Sequence, residues 1–438
     1  MTARDIALRI LIQWERKMER LEEALAEVVL PARERKFLHN LVSGVVRHRS
    51  LLDWKASKLY AGSYKKTLDK FKIILRLAIY ELDYLDFIPP RATVNEYVNL
   101  AREHLPKALT SVVNGILRTY LREGKGLQPK KAFKYPETQI AVAYSFPEWL
   151  IKRWLHFWGE EETERLCETF NQRPEFDLRI HQNKIGYKAF ITLLAQNKIS
   201  FTPSSIFENV VTVTELQKLM HLNLFQRGFC SVQDESGQVT VACLDVKTGD
   251  VILDACAAPG GKFTLLKENI SDQVTGVALE IDRGRLKKVR ENCRRLGLSD
   301  NLLVCGDAKT IPLKKKFDKI LVDAPCSGLG TIQKHPDIKW RRNFEEILQF
   351  QSLQLDILLS VEQVLNTNGI ILYSTCTIDP SENEEVIAQF LQKSMCKFKV
   401  IAPPKRFKEM TTPDNYMRTW PHRHGMEGSF AAILQRTK

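Results

Sequence analysis

No stretch of the 438-residue sequence approaches 18 consecutive apolar residues, the length a helix needs to cross a bilayer. The opening residues, MTARDIALRILIQWERK, form a charged amphipathic pattern without a small-residue cleavage site, so neither membrane spans nor secretion is expected. Cysteine is sparse: nine residues, an odd number, with no C-x-x-C pair, which excludes a disulfide scaffold and leaves no zinc spacing. The expected setting is a reducing cytoplasm, with single thiols free for chemistry and no metal site. No internal repeat of solenoid period is visible.

Hydrophobic residues at 44% and charged residues at 27% are ordinary globular values, and the length calls for two or three domains. Lys and Arg number 65 against 52 Asp and Glu, a formal charge of +13. Nine of those excess charges lie in residues 1–130 and four in the remainder. The N-terminal third is therefore the expected polyanion contact, because clustered cations gain affinity by releasing phosphate counterions. A merely solvated basic surface is the competing reading.

Helical periodicity runs through the front of the chain at Ile6, Ile10 and Trp14, at Phe37, Leu41 and Val45, and at Leu75, Ile79 and Leu82. Breaks are expected at Pro31, Gly62 and Ile88-Pro89-Pro90. We expect an all-helical domain of five to seven helices over residues 1–125 and a Gly-, Pro- and Lys-rich linker over 126–144. A small α+β domain should cover 145–235, with a helical run from Trp149 to Phe170, strands at Phe176 to Ile180 and Val210 to Val213, and a helix near Tyr187 to Ala195. Residues 236–438 alternate strands (251–253, 274–279, 302–305, 320–322 and 370–373) with amphipathic helices, which predicts a Rossmann-like, doubly wound, mostly parallel sheet.

In such sheets ligands bind beyond the carboxyl ends of the strands. The first strand is followed by Asp254-Ala255-Cys256-Ala257-Ala258-Pro259-Gly260-Gly261-Lys262, small residues that let a ligand approach the backbone ahead of a helix. The loop has neither G-x-G-x-x-G nor Walker spacing, and alone it reads as a tight turn. The next strand ends at Glu280, where a carboxylate can accept both ribose hydroxyls, and the third is followed by Asp307, placed for the adenine edge. Three such ends predict a nucleoside cofactor, and the missing dinucleotide loop favours S-adenosylmethionine over NAD.

The fourth strand ends Asp323-Ala324-Pro325-Cys326-Ser327-Gly328 and the fifth Tyr373-Ser374-Thr375-Cys376-Thr377. Lone cysteines are usually core filler, as expected for Cys167, Cys230, Cys243, Cys293 and Cys396. Two thiols at adjacent strand ends beside a methyl donor fit pyrimidine C5 methylation: a thiolate adding at C6 makes C5 nucleophilic, and a base must later remove the C5 proton. Spacing alone does not rank Cys326 against Cys376.

The motifs DACAAPGGK, VDAPCSGLG, KHPDIKW and YSTCTIDPSENE, in this order, resemble those of the RNA 5-methylcytosine methyltransferases of the Nol1/Nop2/Sun family. The N-terminal segments ILRLAIYELDYLDFIPPRATVNEYVNLA and SVVNGILR resemble the RNA-binding factor NusB, a fusion characteristic of the bacterial small-subunit rRNA members. The resemblance implies that Cys376 is the nucleophile and Cys326 assists product release. It implies that Asp323 bonds the cytosine and cofactor region, and that Lys262 stands near the reacting base. The cofactor would lie on Cys256, Ala257, Ala258, Pro259, Gly260, Gly261 and Lys262, with Glu280 at the ribose, Asp307 near the adenine, and Asp323 alongside. Small-subunit rRNA is the expected partner of a monomeric enzyme. A tRNA substrate, or a non-catalytic assembly factor, is the alternative.

The chain departs from the family pattern at His181, where Asn is usual, and at Met426-Glu427-Gly428-Ser429-Phe430, which replaces Asp-Gly-Phe-Phe; both bear on RNA contacts and hairpin packing rather than on the thiols. Lys334-His335-Pro336-Asp337 is expected to position the loop after Cys326.

Overall fold

The protein is described from a computed structural model covering residues 2–129, 132–268, 275–300 and 302–437. Packing divides it into two compact units, Met1–Gln172 with His335–Arg342, and Arg173–Lys334 with Asn343–Lys438.

The first unit is helical. Among the described residues, seven α-helices run from Ala3–Lys17 to Lys107–Glu123, at the upper end of the expected number. Each expected break is a boundary: Pro31 precedes the helix Ala32–Arg47, and Pro90 opens Pro90–His104, where its missing N–H costs nothing. Thr2 and Asp5 close a capping box on the first helix. The helix Asp69–Tyr84 is buried on nearly every side by Phe71, Ile74, Leu75, Ala78 and Ile79. Its two inward charges are paired: Glu81 accepts from Arg4, Thr93 and Tyr97, and Arg76 donates to Asp53 and Glu15.

The segment expected as a linker instead carries a helix at Pro136–Ala143, with Pro136 in its first turn and Ile140 and Ala141 buried. A handful of apolar residues behind a good start signal outweighs the Gly- and Lys-rich approach. The helix Glu148–Asn171 is interrupted at Gly159, whose φ of +76° suits glycine alone. The short helix Ile338–Arg341, remote in sequence, also packs in this unit. There Trp340 donates to the carbonyl of Val46 (2.8 Å), Lys339 to that of Arg47 (2.9 Å) and Arg341 to that of Met18 (2.8 Å).

The second unit holds two sheets. Strands β1 (Phe176–Ile180), β2 (Phe201–Pro203), β3 (Val210–Val213) and β4 (Cys230–Val232) form an antiparallel sheet in the order β2-β3-β1-β4. Leu178, Ile180, Val211 and Val213 pack there on Phe190 and Leu194 of the helix Tyr187–Gln196. His181 is buried beside it, 2.9 Å from Ser231 Oγ and 2.5 Å from Glu268.

The larger sheet comprises β5 (Val251–Asp254), β6 (Thr275–Glu280), β7 (Leu303–Cys305), β8 (Phe317–Asp323), β9 (Leu365–Thr375), β10 (Phe398–Ile401), β11 (Met417–Thr419) and β12 (Ser429–Arg436). Its order is β10-β12-β9-β8-β5-β6-β7, with β11 also on β12. Strands β5 to β9 run parallel, as their apolar runs predict, while β12 is antiparallel to β9. The order reverses on either side of β5, which opens a crevice where β5 and β8 end.

Candidate active site

Strand ends determine what meets in that crevice. A cleft of about 180 Å³ is walled by Cys256, Ala257, Ala258, Pro259, Gly261 and Lys262 after β5, by Asp323 at the end of β8, and by Cys376 after β9. Gly260 turns the loop at φ +106°, and a Cβ there would stand 3.2 Å from Val289 Cα, so both the conformation and the helix behind it require glycine.

Lys262 Nζ donates to Asp323 Oδ2 at 2.7 Å, and Ser374 Oγ donates to the other oxygen at 2.9 Å. Burial alone would lower the ammonium's pKa, but the charge of Asp323 and its hydrogen bond raise it, so Lys262 stays a cation. Asp254 lies beneath, 1% exposed, and burial, then the charge of Asp323, push its carboxyl up to about 8. Burial and the same acids raise the Cys256 thiol well above its usual range, which makes it an inert wall.

Cys326 and Cys376 are brought together: their sulfurs are 3.3 Å apart across the ends of β8 and β9. The hydrogen bond to Cys376, then burial, raise the Cys326 thiol. The loop after Cys326 is held by the Gly330 N–H on the Cys376 carbonyl (3.0 Å) and by the Gly428 N–H on the Gly330 carbonyl (3.0 Å). A Cβ on Gly330 would come 1.7 Å from the Gly428 oxygen, so only glycine fits. Beyond it, the Lys334 N–H donates to the Thr331 carbonyl (3.1 Å) and its ammonium reaches Asp234 (2.7 Å) and Glu427 (3.0 Å), while His335 meets Glu22 and Asp337 accepts from Leu21 N–H.

Glu280 is buried just behind the wall, accepting from Ala258 N–H (3.3 Å) and Asp282 N–H (3.1 Å). Each carboxylate oxygen has a second lone pair, so capacity for a diol remains. Asp307 does not line the cleft: it caps the turn Ala308–Thr310 and faces a separate hollow with Lys309, Asp356 and Gln363. Small residues leaving space, acids at successive strand ends and one cation fit a charged nucleoside such as S-adenosylmethionine.

The opposite wall was not read from the sequence. It comprises Gln233, Asp234, Ser236, Gly237 and Thr240, together with Thr375, Glu427 and Ser429. Asp234 caps the helix Glu235–Cys243 through Ser236 N–H and also accepts from Glu427 N–H (3.1 Å). An Asp two residues before Ser236, at the head of an apolar run, is an N-cap signal that could have flagged this wall.

A parallel sheet reversing at its first strand, with an acid-ended crevice there, defines an S-adenosylmethionine-dependent methyltransferase. Residues 241–435 match the family model "16S rRNA methyltransferase RsmB/F", residues 1–122 the NusB family, and residues 146–219 the RsmF/B-like ferredoxin-like domain. The chain is 32% identical to the probable ribosomal RNA small subunit methyltransferase B of Bacillus subtilis, over 99% of both chains. It is 33% identical to the Synechocystis protein of the same description, again over 99% of both. Among solved structures, PH0851 superposes with a TM-score of 0.80 at 24% identity over 99% of both chains. NSun6 from Pyrococcus horikoshii, solved with SFG, gives 0.61 at 22% over 67% of this chain and 99% of that one. The chain belongs to the 16S rRNA methyltransferase RsmB/F family.

Proposed function

We propose that the protein methylates C5 of one cytosine in 16S rRNA through a covalent adduct between Cys376 and C6. The observation that carries this reading is the pair of thiols 3.3 Å apart, beside the Lys262–Asp323 pair, on the ends of neighbouring strands.

S-adenosylmethionine, when bound, supplies an electrophilic methyl group. The chain's own residues do the rest. The Cys376 thiolate bonds to C6 while N3 takes up a proton on the Asp323 side, and the ring becomes an enamine nucleophilic at C5. After C5 is methylated, a base removes its proton, the C5–C6 double bond reforms, the C6–sulfur bond breaks to return the thiolate, and N3 gives back the proton it took up. Cys326 assists that departure. Lys262 and Asp323 orient the ring, and Glu280 holds the cofactor ribose. The base must leave its helix to enter the cleft.

We read residues 1–125 as the NusB-like RNA-binding domain, 126–144 as its connection, 145–235 as a small RNA-contacting domain and 236–438 as the catalytic domain of a monomeric, cytoplasmic enzyme. The match to the NusB family and the charge excess in residues 1–130 support RNA affinity there. Bisulfite sequencing of rRNA and tRNA from cells with and without the protein tests the substrate. Loss of one 5-methylcytosine in 16S rRNA is expected, and loss confined to tRNA would refute it.

A further inference from the structure

The peptide groups on both sides of Cys326 are gripped by the same two side chains. Gln354 Nε2, from the helix Phe344–Val361, donates to the Pro325 carbonyl (2.9 Å), and the Ser327 N–H donates to Glu382 Oε2 (2.8 Å). The two clamps are joined, because Gln354 Nε2 also donates to Glu382 Oε2 at 3.1 Å. Glu382 ends the turn Pro380–Glu382, fixed by Tyr373 of β9, whose hydroxyl donates to the Glu382 carbonyl (2.6 Å). Its carboxylate is fully buried, and Oε1 has no hydrogen-bond partner.

Among the described residues no ammonium or guanidinium stands against this carboxylate, which makes its burial costly, and the mechanism above makes no use of it. The groups facing it are Ser327 and Cys326 from the loop after β8, Gln354 from the helix, Tyr373 from β9 and Asp379 from its own turn. The contact with Cys376 and burial raise the Cys326 thiol, and the Glu382 charge, bonded to the peptide next to it, adds to them.

We propose that Glu382 is a positioning residue that selects between the thiols: with Gln354 it holds the peptides on both sides of Cys326 and sets a buried carboxylate beside that cysteine, which leaves the attack to Cys376. This rests on the reading of Cys376 as nucleophile. The proton is the only thing that moves, passing between two sulfurs already in contact. A consequence is a pH dependence. Burial pushes Glu382 up to about 7, so its charge, and with it the bias, grows as pH rises through that value.

Iodoacetamide labelling of the full-length enzyme without RNA, followed by peptide mass spectrometry from pH 6 to 9, reads each thiol separately. In the wild type the ratio of Cys326 to Cys376 labelling should fall severalfold between pH 6 and 8, as Glu382 gains its charge. Glu382→Gln should raise that ratio severalfold at pH 8 and remove the inflection, while Glu382→Asp, which keeps the charge, should preserve it. An unchanged ratio in folded Glu382→Gln overturns the proposal. If that variant does not fold, a flat wild-type ratio overturns it equally. The nucleophile assignment fails in a different assay, on adducts with RNA, so the two failures are distinguishable.

Discussion

Asp254→Asn changes one atom in the floor of the cleft and should reshape the pH dependence of stability. The Asp254 carboxyl keeps its proton up to about 8 in the folded chain, against about 4 when exposed, because it is buried and faces Asp323. A carboxyl with a raised folded pKa favours folding most below its unfolded value. That contribution is lost as pH rises from about 4 to about 8, where the unfolded chain has released the proton and the folded chain has not. Four units at 1.36 kcal/mol each give about 5 kcal/mol. Asparagine keeps an acceptor for the Cys256 N–H and has no proton to release. Urea midpoints for wild type and variant at pH 5, 6, 7 and 8 would measure the difference. The variant should gain on the wild type by several kcal/mol across that range, and parallel profiles would refute the reasoning.

Other outcomes follow from separate parts of the molecule. Replacing the exposed Arg33, Arg35, Lys65 and Lys66 by Ala should weaken RNA binding and flatten its salt dependence by about 0.7–0.9 for each phosphate the protein no longer neutralises, read by filter binding at several salt concentrations. Glu280→Gln should weaken S-adenosylmethionine binding by about 1–3 kcal/mol in calorimetry while the fold persists. Glu81→Leu takes from Arg4 its buried partner and leaves Thr93 and Tyr97 without their acceptor, and should cost about 3–5 kcal/mol in denaturant unfolding of the helical unit.

Asp323, Cys326 and Cys376 were legible as candidates because each stands at or just beyond the end of a parallel strand, and in a doubly wound sheet strand ends converge whatever their separation in sequence. Cys326 and Cys376 lie 50 residues apart in the chain, yet β8 and β9 bring their sulfurs into contact. Asp307 also follows a strand end, and there its carboxylate caps the turn it opens. The far wall was hidden for another reason: Gln233 and Glu427 come from segments without strand-end character, joined through Asp234 by hydrogen bonds that no local pattern encodes. KHPDIKW was visible as a motif, but Lys339 and Trp340 bond to backbone carbonyls at Arg47 and Val46, which carry no side-chain signature. The helix Pro136–Ala143 was masked by its flanks.

Two adjacent thiols that divide addition and release between them are the core of the proposed chemistry, and one gel tests that division most directly. Cys376→Ala and Cys326→Ala proteins are each incubated with S-adenosylmethionine and unmodified 16S rRNA, then resolved under denaturing conditions. Cys376→Ala cannot add to C6, so it should give neither methylation nor a covalent complex. Cys326→Ala should attack and methylate but release slowly, leaving a denaturant-resistant protein–RNA band. A stable band from Cys376→Ala, with none from Cys326→Ala, would contradict this division and make Cys326 the nucleophile.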